Sequence, residues 1–252
     1  MDILLQVCLV ILTGFAAGAV NTIAGGGTLL VYPALLACGL PPVTANVTSL
    51  IGLTPGYVTG AYVYRDEIRA VKQLLPTLGV TTLVGAVAGA VVLLVTPGKV
   101  FENVVPYLVL ISSILLTIQP WLKKKLARPG KGGTNQIRAV TIVSVLFGAF
   151  YGAYFSAGAG VLLLALLGAT LNEGFQRING LKNGLSLIII LAAVCIYIFS
   201  GHVNVLFTLV LLPSSGLGGV VGGVLARKLN ANILRYSVCV LGFALFFYLL
   251  FN

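Results

Sequence analysis

Long apolar runs fill this chain, and the polar interruptions between them are of two kinds. Most are charged or Pro/Gly-rich connections between runs. Two others cut through a run. The 18-residue stretch from Ile3 to Val20 is uncharged and ends in Asn21-Thr22-Ile23-Ala24-Gly25-Gly26-Gly27, after which apolar residues resume. A second run reaches Phe155, meets Ser156-Ala157-Gly158-Ala159-Gly160, and resumes in the same way. Glycine costs about 1 kcal/mol per helical residue relative to alanine, so three in succession predict a broken helix. The remaining runs, 43–64, 74–95, 104–120, 185–199, 203–226 and 233–251, are each near the ~20 residues that cross ~30 Å of hydrocarbon. The period-two alternation of a membrane β-barrel is absent. The pattern predicts an all-α integral membrane protein.

Composition removes the soluble alternatives. Hydrophobic residues make up 59% of the chain, charged residues 8%, and mean hydropathy is +1.09. A soluble domain carries about 25% charge, so lipid must be the solvent here. The net charge of +10 then reads as topology rather than as a nucleic-acid footprint. Lys123, Lys124, Lys125, Arg128, Lys131 and Arg138 fall in one connection, 121–138, with no acid. The excess of positive charge on cytoplasmic loops places that connection inside. Alternation then puts residues 65–73, Glu173, Arg177 and Arg227, Lys228 and Arg235 inside, with 96–103 and Gly201-His202 outside. Thirteen of the fifteen basic residues fall in cytoplasmic connections under this assignment. The broken segment 139–171 must then enter and leave on one face, as a hairpin. By the same logic hairpin 3–38 starts and ends outside; a first segment that crosses completely would instead bring the N-terminus inside. The first run lacks a basic leader, so it reads as a retained segment rather than a cleaved signal. Cys8, Cys38, Cys195 and Cys239 are widely spaced and read as buried apolar side chains.

The two halves align. Gly14-x-x-x-Gly18 matches Gly148-x-x-x-Gly152, and Thr22 to Gly26 falls on Ser156 to Gly160. After a one-residue slip, Asn46 and Ser49 fall on Asn179 and Lys182, and Gly85-x-x-x-Gly89 falls on Gly218-x-x-x-Gly222. Each half therefore reads as a broken helical hairpin followed by three transmembrane helices. Residues 1–120 form the first repeat (hairpin 3–38; spans 43–64, 74–95 and 104–120). Residues 139–252 form the second (hairpin 139–171; spans 179–199, 203–226 and 233–251). An odd number of crossings inverts the second copy, a known plan for transporters whose binding site lies where the broken helices meet. The spaced glycines should let helices approach closely.

A break at membrane depth leaves amides that protein, water or ligand must satisfy. The helices resuming after Gly25, Gly26 and Gly27, and after Gly158 and Gly160, aim N-terminal amides and positive dipole ends at the break, which suits an anion. Asn21, Thr22 and Ser156 add short polar side chains at the same turns. Asn46, Thr48 and Ser49 come from the next helix of the first half, and Asn179, Lys182 and Asn183 from that of the second, each set sharing a helix face. Lys182 is the most informative charge: lysine at helix-centre depth costs ~2.5–3.5 kcal/mol, although nearer the interface it snorkels. The bland alternative is that these groups only hydrogen-bond helices together. Asp2, Asp66, Glu67, Glu102 and Glu173 all sit at segment ends, and His202 in a turn. That argues against a cation site and weakens an intramembrane hydrolase, which would need acid/base or metal-ligand groups at depth; no metal or cofactor is expected. There is no P-loop. A coupling ion, proton or sodium, stays open, as does self-association.

At these residues the chain resembles a known family. Gly14-Phe-Ala-Ala-Gly18-Ala-Val-Asn21-Thr-Ile-Ala-Gly-Gly-Gly27, then Pro33, Gly39-Leu-Pro-Pro42 and Ala45-Asn46-Val-Thr48-Ser49 resemble the TauE/SafE sulfite exporters, also called toluene-sulfonate uptake permeases. Gly158-Ala-Gly160 and Ile178-Asn179-Gly-Leu-Lys182-Asn183 echo them in the second half. The resemblance implies a permease of the cytoplasmic membrane for small sulfur-containing anions such as sulfite, thiosulfate or sulfoacetate. Substrate and direction of flow do not carry over. An anion channel, or an enzyme acting on lipid phosphates, are the competing readings.

Overall fold

The computed structural model describes residues 2–23, 26–126, 137–225 and 231–251. Gly25, Arg128, Lys131, Arg227 and Lys228 therefore lie outside the described residues, with most of the basic connection 121–138. All regular structure among the described residues is helical. In chain order the helices are α1 (Ile3–Ile23), α2 (Thr28–Ala37), α3 (Pro42–Gly52), α4 (Thr54–Val63), α5 (Arg65–Ala70), α6 (Leu75–Val95), α7 (Gly98–Leu126), α8 (Ala139–Tyr154), α9 (Ala159–Thr170), α10 (Phe175–Tyr197), α11 (Val205–Leu225) and α12 (Ala231–Phe251). Five segments are long and apolar enough to cross a membrane. Large apolar side chains such as Leu4, Leu12, Val84, Leu209 and Phe247 lie exposed on the outside of the bundle. In water that surface would drive aggregation; in lipid it is the solvated face. The chain is a multi-pass membrane protein.

Both predicted breaks are present. α1 stops at Ile23 and α2 starts at Thr28; α8 stops at Tyr154 and α9 starts at Ala159. α2 packs back on α1, and α9 on α8. With 10 and 12 residues, α2 and α9 extend only about 15–18 Å at 1.5 Å per residue, roughly half a bilayer.

Two features depart from the simple picture of straight spans. The run 43–64 is divided at Leu53 into α3 and α4. Pro55 has no N–H for the Ile51 carbonyl, and its ring crowds the preceding turn. The hydrogen-bond ladder nevertheless continues across the junction: Leu53 N–H donates to Ser49 O at 3.0 Å and Tyr57 N–H to Leu53 O at 3.3 Å. α7 has 29 residues where 104–120 was expected. Its ends are polar, with Lys99 and Glu102 at one and Trp121 and Lys124 at the other, so its extra turns sit in the interface where such side chains are solvated.

Glycines let helix backbones touch, but only at some of the predicted pairs. α1 packs along α11 and α6 along α8, the two most extensive helix interfaces. A methyl on Gly218 would strike the Phe15 carbonyl, and one on Gly222 would lie 2.5 Å from Ala19 Cα. A methyl on Gly89 would strike the Phe150 carbonyl, and one on Gly85 would lie 2.5 Å from that of Leu146. Gly148 and Gly152 behave differently. They face the side chains of Leu163 and of Ala159 and Ile189, so they make room for the returning α9 and for α10. The contacts are reciprocal between halves: α4 packs on α11 as α10 packs on α6, and α7 packs on α12.

Candidate functional site

Each break is closed by hydrogen bonds to its turn, the second with help from α7. At the first, Gly26 has φ of +104°, a left-handed conformation open to glycine at little cost. The Asn21 side-chain oxygen accepts the Gly27 N–H at 2.8 Å, satisfying one amide that the interrupted helix leaves over. At the second, Gly158 takes φ of +70°. The Ser112 Oγ and Tyr151 Oη both approach the Ala157 carbonyl, at 2.8 and 2.9 Å. α7 supports both turns from one face, since Leu116, one turn beyond Ser112, packs against Gly26.

The two turns meet. Thr28 Oγ1 and Ser156 Oγ are 2.7 Å apart and both buried. A narrow cleft opens beside this contact, lined by Ser156, Gly160, Gly152, Tyr57, Ser186 and Ile189. Its enclosed part has room for about one water molecule. The Tyr57 side chain also reaches toward Thr28 and Asn21.

The predicted polar residues divide into two groups. Asn46 Nδ2 donates to the Tyr154 carbonyl at 2.9 Å, Ser49 Oγ to the Asn46 carbonyl at 2.8 Å, and Thr48 Oγ1 accepts from Asn204 N–H at 3.0 Å. All three are fully buried. Thr22 Oγ1 donates toward the Gly18 and Gly219 carbonyls at 3.2 and 3.3 Å, tying α1 to α11. On α10, Asn183 Nδ2 donates to the Asn179 carbonyl at 3.0 Å. Asn179 itself lies against Tyr64. Gly160 lines the cleft directly.

Lys182 stands apart from all of these. It is 5% exposed, yet the ion pairs among the described residues are Arg69–Asp66 and Arg177–Glu173, both at helix ends. No carboxylate neutralises it. A buried ammonium without a counter-ion is costly, and a bound anion would remove that cost. Of the six buried side-chain polar atoms without a hydrogen-bond partner among the described residues, two belong to the predicted set: Asn21 Nδ2, a donor, and Asn46 Oδ1, an acceptor. No group of three or more His, Cys, Asp or Glu able to hold a metal occurs among the described residues. The arrangement offers hydroxyls, an amide donor and an ammonium, the complement of a small oxyanion.

Sequence reasoning missed Thr28, Tyr57, Ser186, Ser112 and Tyr151. Ser186 was findable, because it sits four residues after Lys182 on the same helix face. Tyr57 gave no signal, being one of three tyrosines in its run with nothing to single it out.

Comparison with known proteins agrees with this architecture. A protein of Sinorhizobium sp. named probable membrane transporter protein ORF9 is 27% identical over 240 residues, covering 92% of this chain and 87% of its own length. A probable membrane transporter protein of Haemophilus influenzae is 24% identical over 238 residues, covering 91% and 89%. The probable membrane transporter protein YfcA of Escherichia coli is 29% identical over 107 residues, 42% of this chain and 39% of its own. No solved structure matches. The family described as sulfite exporter TauE/SafE matches residues 10–249, nearly the whole chain, and the protein belongs to that family of membrane transporters.

Proposed function

We propose that this protein is a secondary transporter of the cytoplasmic membrane that moves a small sulfur-containing oxyanion, sulfite, thiosulfate or an organosulfonate, by alternating access around the two helix breaks. The observation that carries this reading is Lys182, buried and without a carboxylate, one helical turn from Ser186 in the cleft where the breaks meet. An anion supplies the missing counter-charge. Asn21 Nδ2 and the hydroxyls of Ser156, Tyr57 and Ser186 supply hydrogen bonds without any acid to repel it. The glycine-lined turns let backbone approach the ligand closely. Asn46, Thr48 and Ser49 occupy the corresponding face of the first half and take their turn when the other side opens. The reciprocal helix contacts support two inverted repeats related by a pseudo-two-fold axis.

Flux into proteoliposomes tests the reading. Sulfite, thiosulfate, sulfoacetate and taurine are presented with and without an ionophore that collapses the proton gradient. Saturable uptake of at least one of these, with counter-flow from preloaded vesicles, is the expected result. Non-saturable conductance would make the protein an anion channel, and no flux with any of them would end the proposal. Topology is checked separately with single cysteines at Asp66 and His202, both exposed. They should label from opposite faces of the membrane, and labelling of both from one face would refute the inverted arrangement.

A further inference from the structure

We infer that the anion reaches the helix breaks along a seam between α4 and α10, entering from the end that carries α5; the inference rests on the transport reading above. The two helices run antiparallel with matched polar steps. Tyr64 lies against Asn179, Gly60 against Asn183, and Tyr57 shares the cleft with Ser186. Each step is three or four residues on both helices, so one continuous face of each is used. Lys182 precedes Asn183 of the middle step on α10.

Residual exposure distinguishes this seam from its counterpart in the first half. Asn179, Lys182, Asn183 and Ser186 keep 5–7% of their surface, whereas Asn46, Thr48 and Ser49 keep 0%. The first face is dry: its side chains bond to backbone, Asn46 to the Tyr154 carbonyl, Thr48 to the Asn204 N–H and Ser49 to the Asn46 carbonyl, and Tyr154 belongs to an aromatic cluster. Tyr32 packs edge-on to Phe155 at 5.6 Å, and Phe101 packs on Tyr154 and Phe155 at 5.7 and 6.4 Å. Asn46 is hydrogen-bonded into the same cluster through the Tyr154 carbonyl. The structure is thus shut on the side of Phe101 and porous on the side of Tyr64. Arg65, Arg69 and Lys72 are exposed at that mouth beside Asp66, which pairs with Arg69 at 3.5 Å, and the half-buried Glu67, so the rim is weakly positive and draws anions only modestly.

Gly60, at the middle step, is a point where the seam can be probed. A Cβ built there meets nothing closer than Asn183 Oδ1, at 3.5 Å, ordinary van der Waals contact. A cysteine therefore fits without disturbing the helices. A side chain modified there would stand in the path.

The experiment uses the full chain with its four native cysteines replaced by serine and Gly60→Cys introduced, reconstituted in lipid vesicles. Membrane-impermeant thiosulfonates are applied from each side, one with a sulfonate head and one with a quaternary ammonium head. The ratio of their rates is the readout, because a change in thiol ionisation cancels in it. We expect labelling from the side on which Asp66→Cys labels. The sulfonate-to-ammonium ratio should fall about tenfold when Lys182→Gln is added, a modest effect for one charge within a turn. From that same side, Ser49→Cys should react far more slowly than Gly60→Cys. Labelling from the side of His202→Cys, an inert Gly60→Cys in protein that melts like the parent, or a ratio indifferent to Lys182 would each overturn the path. Lys182-dependent labelling without uptake of any sulfur anion would leave the path standing and sink the transport reading. Uptake with an inert Gly60→Cys would do the reverse.

Discussion

Lys182→Gln is expected to abolish anion uptake while leaving the protein as stable as the parent or more so. The two effects have opposite signs for one physical reason. In the resting protein the ammonium is 5% exposed and has no carboxylate partner, so it stands as an uncompensated cost of folding. Exchanging an unpaired buried charge for a neutral group of similar length removes that cost. In the loaded protein the same ammonium meets the anion, and a hydrogen bond to a charged group contributes about 1.5–3 kcal/mol, more where both partners are desolvated. Its loss should weaken binding by about 10- to 1,000-fold. Lys182→Arg keeps the charge but replaces a compact ammonium with a larger planar fork, so intermediate flux is expected. Thermal melting in detergent with and without sulfoacetate, read together with flux, checks both halves. A melting point that drops while anion affinity holds would make Lys182 a structural residue and remove it from the site.

How much of this could be read in the chain depends on whether the signal is local. Helix breaks are local: Gly25-Gly26-Gly27 and Ser156-Ala157-Gly158 announce themselves because glycine weakens a helix whatever surrounds it. Lys182 announces itself because a charge in an apolar run is expensive in any fold. The division of 43–64 was not read, although its cause is local: Pro55 has no N–H to continue the ladder, and the length of the run suggested a single span. Contacts between distant segments were not legible. Nothing in the neighbourhood of Thr28 says that it touches Ser156, 128 positions away, and nothing near Tyr57 says that it overhangs the cleft. The glycine pairs show the same boundary. Their i, i+4 spacing predicts a close approach but not which partner fills the groove. Gly85 and Gly89 receive a helix backbone, while Gly148 and Gly152 receive Leu163 and Ile189.

Gly218→Leu should prevent the protein from accumulating in folded form. A Cβ at this position strikes the Phe15 carbonyl, with Phe15 C and Cα at 2.7 and 2.9 Å. All three are backbone atoms of α1, so no rotamer change relieves the clash. α11 would have to withdraw from α1 along its length. That withdrawal opens the contact of Gly222 with Ala19 and breaks the Thr22 hydrogen bond to the Gly219 carbonyl. Membrane helices associate through close packing rather than through a hydrophobic drive, so a lost groove has little to replace it, and the cost should be several kcal/mol. Gly89→Leu, aimed at the Phe150 carbonyl, should do comparable damage at the α6–α8 interface, as two halves built on one plan require. Gly98→Ala is the control, for no atom lies within 4 Å of its Cβ. Monodisperse yield and melting temperature in detergent read all three. A Gly218→Leu protein that melts like the parent would show that α1 and α11 do not touch where the backbone places them. The breaks they position would then have no fixed frame in which to meet.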